Sequence, residues 1–335
     1  MEEETTKIEE YNEDGKDTVL VLGNGFDISL GRKTCYKDFC NSTLWPFGPE
    51  YEKKLGLGNY LLQRKNNEYR IDRWIDLEEE LFKYCKSGDS CLAHFEKLDS
   101  HLDKERLLEN DKEAYELLCS HVSEYIRCVQ EDTIPDLRVS DAARVISALS
   151  DRIKRIFSFN YTNFKQLEAQ INGFPNFESQ QSVVYMHGKV DDNTAILGID
   201  DQLEINNDYR FMVKQFNKSF FRVNVNKDSN SIENALREAV NIVFFGCSFG
   251  LNDINYFKSF FSELKDLKKL KSITIFTYDD KSRLEILDTL ARIQGKNNTS
   301  VKYLGLYNDF QIITTKYNTN EIDKYIKKAS YGRTR

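Results

Sequence analysis

The first compact apolar run along the chain, Thr18-Val19-Leu20-Val21-Leu22, ends in Gly23-Asn24-Gly25. Such an unbroken run fits a strand buried on both faces, and the two glycines fit a tight turn after it. Similar runs recur at Arg155–Phe159, Ser182–Met186, Ala195–Leu197, Asn241–Phe245, Ser272–Phe276 and Val301–Leu304. Between most of them the spacing turns helical, as over Ile254–Leu267, where positions 254, 257, 260, 261 and 264 are apolar. Strands alternating with helices predict an α/β fold, a Rossmann-like, mostly parallel sheet covered on both faces.

Residues 70–150 break that alternation. Trp74, Leu77, Leu81 and Tyr84, then Tyr115, Leu118, Val122, Tyr125, Ile126 and Val129, keep helical spacing, and no strand interrupts them. The expected organisation is a flexible acidic leader over 1–17, a sheet domain built from 18–69 and 151–335, and an inserted helical lobe over 70–150. The 47 basic and 54 acidic residues leave a net charge of −7, which gives no field to attract a nucleic acid. No apolar run is long enough to span a membrane, and the start, Met1-Glu2-Glu3-Glu4, is acidic where a secretory signal would be basic and then apolar. The expected compartment is the cytosol, where the seven scattered cysteines would stay reduced.

Ligands of an open parallel sheet bind beyond the carboxyl ends of its strands, so the residues that close each strand are the candidates for chemistry. Gly23 and Gly25 let the backbone approach a phosphate, with a following helix aiming N–H groups at it; a plain tight turn explains them equally. Ile28 stands where a dinucleotide fingerprint has its third glycine, and Gly31-Arg32-Lys33-Thr34 lacks the spacing of a P-loop. Gly246-Cys247-Ser248-Phe249-Gly250 has the form of a nucleophile elbow, but no histidine follows it, so a turn bordering a nucleotide is the better reading of Ser248. His187 closes a strand and could accept a proton near neutral pH, or simply be satisfied by backbone. Asn160 could hold ribose hydroxyls or a water, or serve as a turn residue. Cys85, Cys91, His94, His101, Cys119, His121 and Cys128 of the lobe match no zinc spacing, and no metal is expected. The carboxylates of Trp74-Ile75-Asp76-Leu77-Glu78-Glu79-Glu80-Leu81 suit a solvated helix face, with a lobe carboxylate reaching the cleft as the alternative.

Taken in order, Val21–Asp27, Trp74–Glu78, Phe159–Thr162, His187-Gly188, Leu197-Gly198-Ile199-Asp200 and Phe245–Gly250 resemble the AbiH family of bacterial abortive-infection proteins, over about residues 18–310. The same series is similar to the broader sirtuin-like group, which binds NAD between a Rossmann-type sheet and a smaller lobe. The resemblance implies that Gly23, Asn24, Gly25, Phe26, Asp27, Thr162, Gly246, Ser248 and Asp253 bind the dinucleotide. It further implies that Asn160 positions the ribose or the attacking water and that His187 acts on a ribose hydroxyl. Two departures matter. Thr162 stands where the sirtuin pattern has Asp, and no Cys-x-x-Cys pair exists to hold a zinc ribbon, which argues against protein deacylation. What remains is hydrolysis of the nicotinamide–ribose bond of NAD, depleting it in infected cells. A phage-derived activator and self-assembly through the lobe are the expected partners. The alternatives are a nucleotide-binding sensor without turnover and a nuclease-type toxin.

Overall fold

The computed structural model describes residues 16–68, 76–86, 101–132, 140–170, 183–191, 197–200, 203–213, 225–250, 252–264, 270–293, 304–306 and 308–331. Six strands form one sheet: β1 (Thr18–Leu22), β2 (Ile153–Ser158), β3 (Val183–Tyr185), β4 (Asn241–Phe245), β5 (Ser272–Thr277) and β6 (Asp309–Thr314). They are arranged 3-2-1-4-5-6, and every neighbouring pair is parallel. This is the Rossmann-like α/β architecture expected from the alternation of strands and helices. The strand order reverses between β1 and β4, so the carboxyl ends of these two strands border the crevice where such sheets bind ligands.

The sheet is buried because β1 and β4 are apolar at nearly every position, which requires a layer on each face. Leu20 and Leu22 face one layer, where they pack with α1 (Asn24–Ser29), α6 (Asp141–Leu149) and α11 (Thr319–Tyr331). Val19 and Val21 face the other, with α8 (Val225–Glu238), α9 (Asn255–Glu263) and α10 (Asp280–Ile293). A third core belongs to the lobe, formed by α2 (Tyr36–Cys40), α3 (Leu57–Glu68), α4 (Leu77–Cys85) and the long α5 (His101–Glu131). The short α7 (Lys165–Gln170) follows β2.

Sheet and lobe are interleaved along the chain. Residues of α2 and α3 supply Phe39, Leu57, Leu61 and Leu62 to the lobe core, and Val190, Leu197, Ile199, Tyr209 and Met212 return to it after β3. The α6 helix, whose Ser140 cap accepts from the amide of Ala143, packs instead on the sheet through Ala142, Ala143, Ile146 and Leu149. Asp17, expected in the leader, is already part of the fold, since its carboxylate pairs with Arg152 at 2.5 Å; residues 1–15 lie outside the described residues.

Of the expected strand Val301–Leu304 only Leu304 is described, and it opens a helical turn; residues 301–303 lie outside the described residues. The last strand is β6, whose Asp309 and Gln311 leave no continuous apolar run. Among the described residues it is an edge strand, paired on one side and half-exposed, so burial does not impose the apolar composition of β1 or β4. Of the short run at 195–197, only Leu197 is described, and nearby Ile199 makes an isolated parallel bridge to Val213.

Candidate functional site

At the crevice, two turns meet backbone to backbone. The amide of Gly23 donates to the Phe245 carbonyl at 3.0 Å, and that of Gly25 donates to the Gly246 carbonyl at 3.0 Å. A Cβ on Gly23 would lie 2.6 Å from Gly246 O, one on Gly25 2.6 Å from Gly246 Cα, and one on Gly246 2.4 Å from Gly25 Cα. Gly246 also has φ +68°, a left-handed conformation that favours glycine. The three glycines therefore have a structural reason of their own, namely the close approach of the turn after β1 to the turn after β4.

Several expected ligand contacts are engaged inside the protein. The Asn24 amide accepts from the Thr34 hydroxyl at 2.6 Å and donates to the Thr34 carbonyl at 3.3 Å, tying down the loop after α1. Phe26 is buried, edge-on to Phe245 at 5.8 Å. Asp27 is buried with one oxygen 3.0 Å from Arg32 Nη1 and the other accepting the Thr162 hydroxyl at 2.6 Å. Ser248 is exposed beside Gly250.

Asn160 and His187 approach the crevice from β2 and β3. The Asn160 side chain donates to the Gly23 carbonyl at 3.1 Å, while its Oδ1 is buried without a hydrogen-bond partner among the described residues. His187 is 4 % exposed, and its ring packs edge-on to Phe159 at 5.3 Å and tilted to Tyr161 at 6.1 Å. Its Nε2 lies 3.1 Å from Oδ1 of Asp253, in the turn that leads from β4 to α9. An imidazole with a carboxylate beside it is the pairing a general base employs. Asp200 steadies that turn, its amide donating to Asn252 Oδ1 at 3.1 Å and its carboxylate accepting from Asn255 Nδ2 at 3.1 Å.

The lobe adds carboxylates from the run 74–81, for which a solvated helix face was the first expectation and a carboxylate reaching the cleft the alternative. Glu78 and Glu80 are buried. Glu80 is neutralised within the lobe by Arg64 and Lys83, whereas Glu78 Oε1 accepts the Tyr161 hydroxyl at 3.3 Å. Tyr161 is also hydrogen-bonded to Tyr36, and burial first, then the carboxylate of Glu78 for Tyr36 and the Tyr36 hydroxyl for Tyr161, raises both phenols well above their ordinary range. The signal that could have found Glu78 is its place three and seven residues before Leu81 and Cys85, on the buried stripe of α4. Trp74 and Ile75 lie outside the described residues.

Asp76 caps α4, accepting from the amides of Glu78 and Glu79 at 3.0 and 3.1 Å. Burial, then the neighbouring Glu78 charge, pushes its carboxyl up to about 6. The folded protein thus holds this proton more tightly than the unfolded chain. The associated stability is full below about pH 4 and is lost as pH rises through about 6. Asp76→Asn keeps the cap and removes the charge. It is expected to be more stable than the parent by about 2–3 kcal/mol above about pH 7, with the difference gone below about pH 4. Denaturant titrations at the two ends of that range measure it.

Among the described residues, no three His, Cys, Asp or Glu side chains gather as metal ligands, and no helix is long and apolar enough to cross a membrane; Cys91 and His94 lie outside those residues. Cys247 is buried beside the crevice, and burial raises its thiol far above the range in which a thiolate nucleophile forms. What the crevice offers is an imidazole with a carboxylate, a buried amide acceptor and a glycine-lined floor, arranged where a parallel sheet reverses. No curated protein matches the chain. From Val19 in β1 to Thr277 at the end of β5, well over half of its length, the sequence matches the family described as bacteriophage abortive infection AbiH, and the protein belongs to that family.

Proposed function

We propose that this AbiH protein is a cytosolic effector of abortive infection that binds NAD at the β1–β4 crevice and hydrolyses its nicotinamide–ribose bond, as in the sirtuin-like group its motifs resemble. The observation that carries this reading is the buried Oδ1 of Asn160, an acceptor unmet among the described residues whose own amide is anchored to Gly23. A ribose hydroxyl or a water is the kind of donor it lacks.

In the reaction, the C–N bond to nicotinamide breaks with its electron pair leaving on the neutral ring, a water oxygen bonds to the ribose carbon, and one proton is released. His187 takes that proton and Asp253 stabilises the resulting charge. Asn160 orients the ribose or the water, and the side chains of Phe159 and Tyr161 hold the imidazole. Unchecked hydrolysis would kill the host, so we assign release of activity to a phage-derived activator or to self-assembly through the lobe.

The test is incubation of the full chain with NAD, with and without phage lysate, followed by chromatography. Equal release of nicotinamide and ADP-ribose is expected, and intact NAD under every condition would remove the enzymatic reading. A second reading, a nucleotide-binding sensor without turnover, is favoured by one specific feature: Thr162 stands where the sirtuin pattern has Asp, and its hydroxyl is engaged by Asp27. Calorimetry that detects ADP-ribose binding without NAD cleavage would select it.

A further inference from the structure

Arg32 follows the turn after α1 with a side chain only 1 % exposed. Its Nη1 is held by Asp27, whose second oxygen is held by Thr162. The other edge of the guanidinium is different. Nε and Nη2 are both buried and have no hydrogen-bond partner among the described residues. Arginine cannot relieve such burial by losing a proton, and charged donors are rarely left unmet in a protein interior.

The two unmet groups form one chemical unit. The N–H bonds of Nε and Nη2 are parallel, and their spacing matches two oxygens of a single phosphate or carboxylate. Asp27 and Thr162 belong to the segments that close β1 and β2, which puts the fork at the carboxyl edge of the sheet. Two residues before Thr162, the Oδ1 of Asn160 is a buried acceptor without a partner. Donors in a fork and an acceptor, both unmet, thus sit on two segments that the Thr162–Asp27 hydrogen bond joins. A nucleotide answers both, with phosphate oxygens for the fork and a sugar hydroxyl for the amide, whereas a simple carboxylate answers only the fork.

We infer that Arg32 is a phosphate ligand, its Nε/Nη2 edge receiving one phosphate of a nucleotide bound at the crevice while Asp27 and Thr162 hold the guanidinium in place. This deepens the dinucleotide reading and rests on it for the identity of the ligand, but not for its test. Because both nitrogens are enclosed, binding has to loosen the loop that Asn24 ties down through Thr34.

The experiment is calorimetric titration of the full chain with inorganic pyrophosphate in chloride buffer. The parent is expected to bind. Arg32→Lys keeps a positive charge beside Asp27 but loses the parallel donors, and it is expected to bind about tenfold more weakly or worse. The pair Asp27→Asn with Arg32→Met removes both charges, so that neither is stranded, and it is expected to lose binding while keeping its circular dichroism. A readout without any variant is the Nε–H nuclear magnetic resonance of Arg32, which is expected to move on addition of pyrophosphate. No binding by the parent, equal affinity in Arg32→Lys, or an unmoved Nε–H signal at saturating pyrophosphate would each overturn the assignment and leave enclosed water as the occupant. Each of these results stands whether or not the parent releases nicotinamide from NAD, so this inference and the enzymatic reading fail separately.

Discussion

Gly246→Ala is expected to lose about 4 kcal/mol or more of stability, enough to leave little soluble protein. The added methyl would lie 2.4 Å from Gly25 C, Gly25 Cα and Phe26 N. All three are backbone atoms, so no side chain can swing aside, and relief requires separating the turn after β1 from the turn after β4. That separation breaks the Gly25-to-Gly246 hydrogen bond and disturbs Phe26, which is packed against Phe245 and Phe164. The positive φ of Gly246 adds strain of its own. Gly305→Ala is the control, because nothing lies within 4 Å of the new methyl there; it should fall within about 0.5 kcal/mol of the parent. Equilibrium denaturation of both variants checks the contrast.

His187→Ala is expected to reduce nicotinamide release from NAD by about 10²–10⁴-fold, the usual contribution of a positioned acid–base group. Because His187 is buried, truncation also leaves a cavity, so His187→Gln, closer in volume, must show the same loss for the assignment to hold. Asp253→Asn should lose less, about tenfold, since the amide still fills the site beside Nε2 but no longer balances the imidazolium charge. Quantifying nicotinamide for the three variants against the parent provides the measurement. Parental rates in both His187 variants would take the proton-accepting role away from this residue.

Much of this organisation is written in local patterns. β1, β4 and β5 are legible because a central strand buried on both faces must be apolar along its length, and the turns that close β1, β2, β3 and β4 are legible because Gly, Asn and His interrupt those runs abruptly. The edge strand β6 and the partition of helices between sheet and lobe are not. Half-exposed strands need no apolar run, and an amphipathic helix such as α6 declares that it has a buried face without declaring against what.

For the site, residue type was readable and partnership was not. Gly23 and Gly25 read equally as a phosphate loop or a tight turn until Gly246, more than two hundred residues away in the chain, was seen to press against them. Glu78 reads as part of a charged helix face until Tyr161 meets it, and Arg32 reads as a spoiled P-loop position until its guanidinium is found buried with one edge unmet. Sequence alone therefore established the α/β class and the strand ends where chemistry would gather, because periodicity and chain breaks are local properties fixed by burial of the backbone. Tertiary structure alone decided which polar groups were satisfied and which were left open, because hydrogen bonding and desolvation depend on neighbours that only folding brings together.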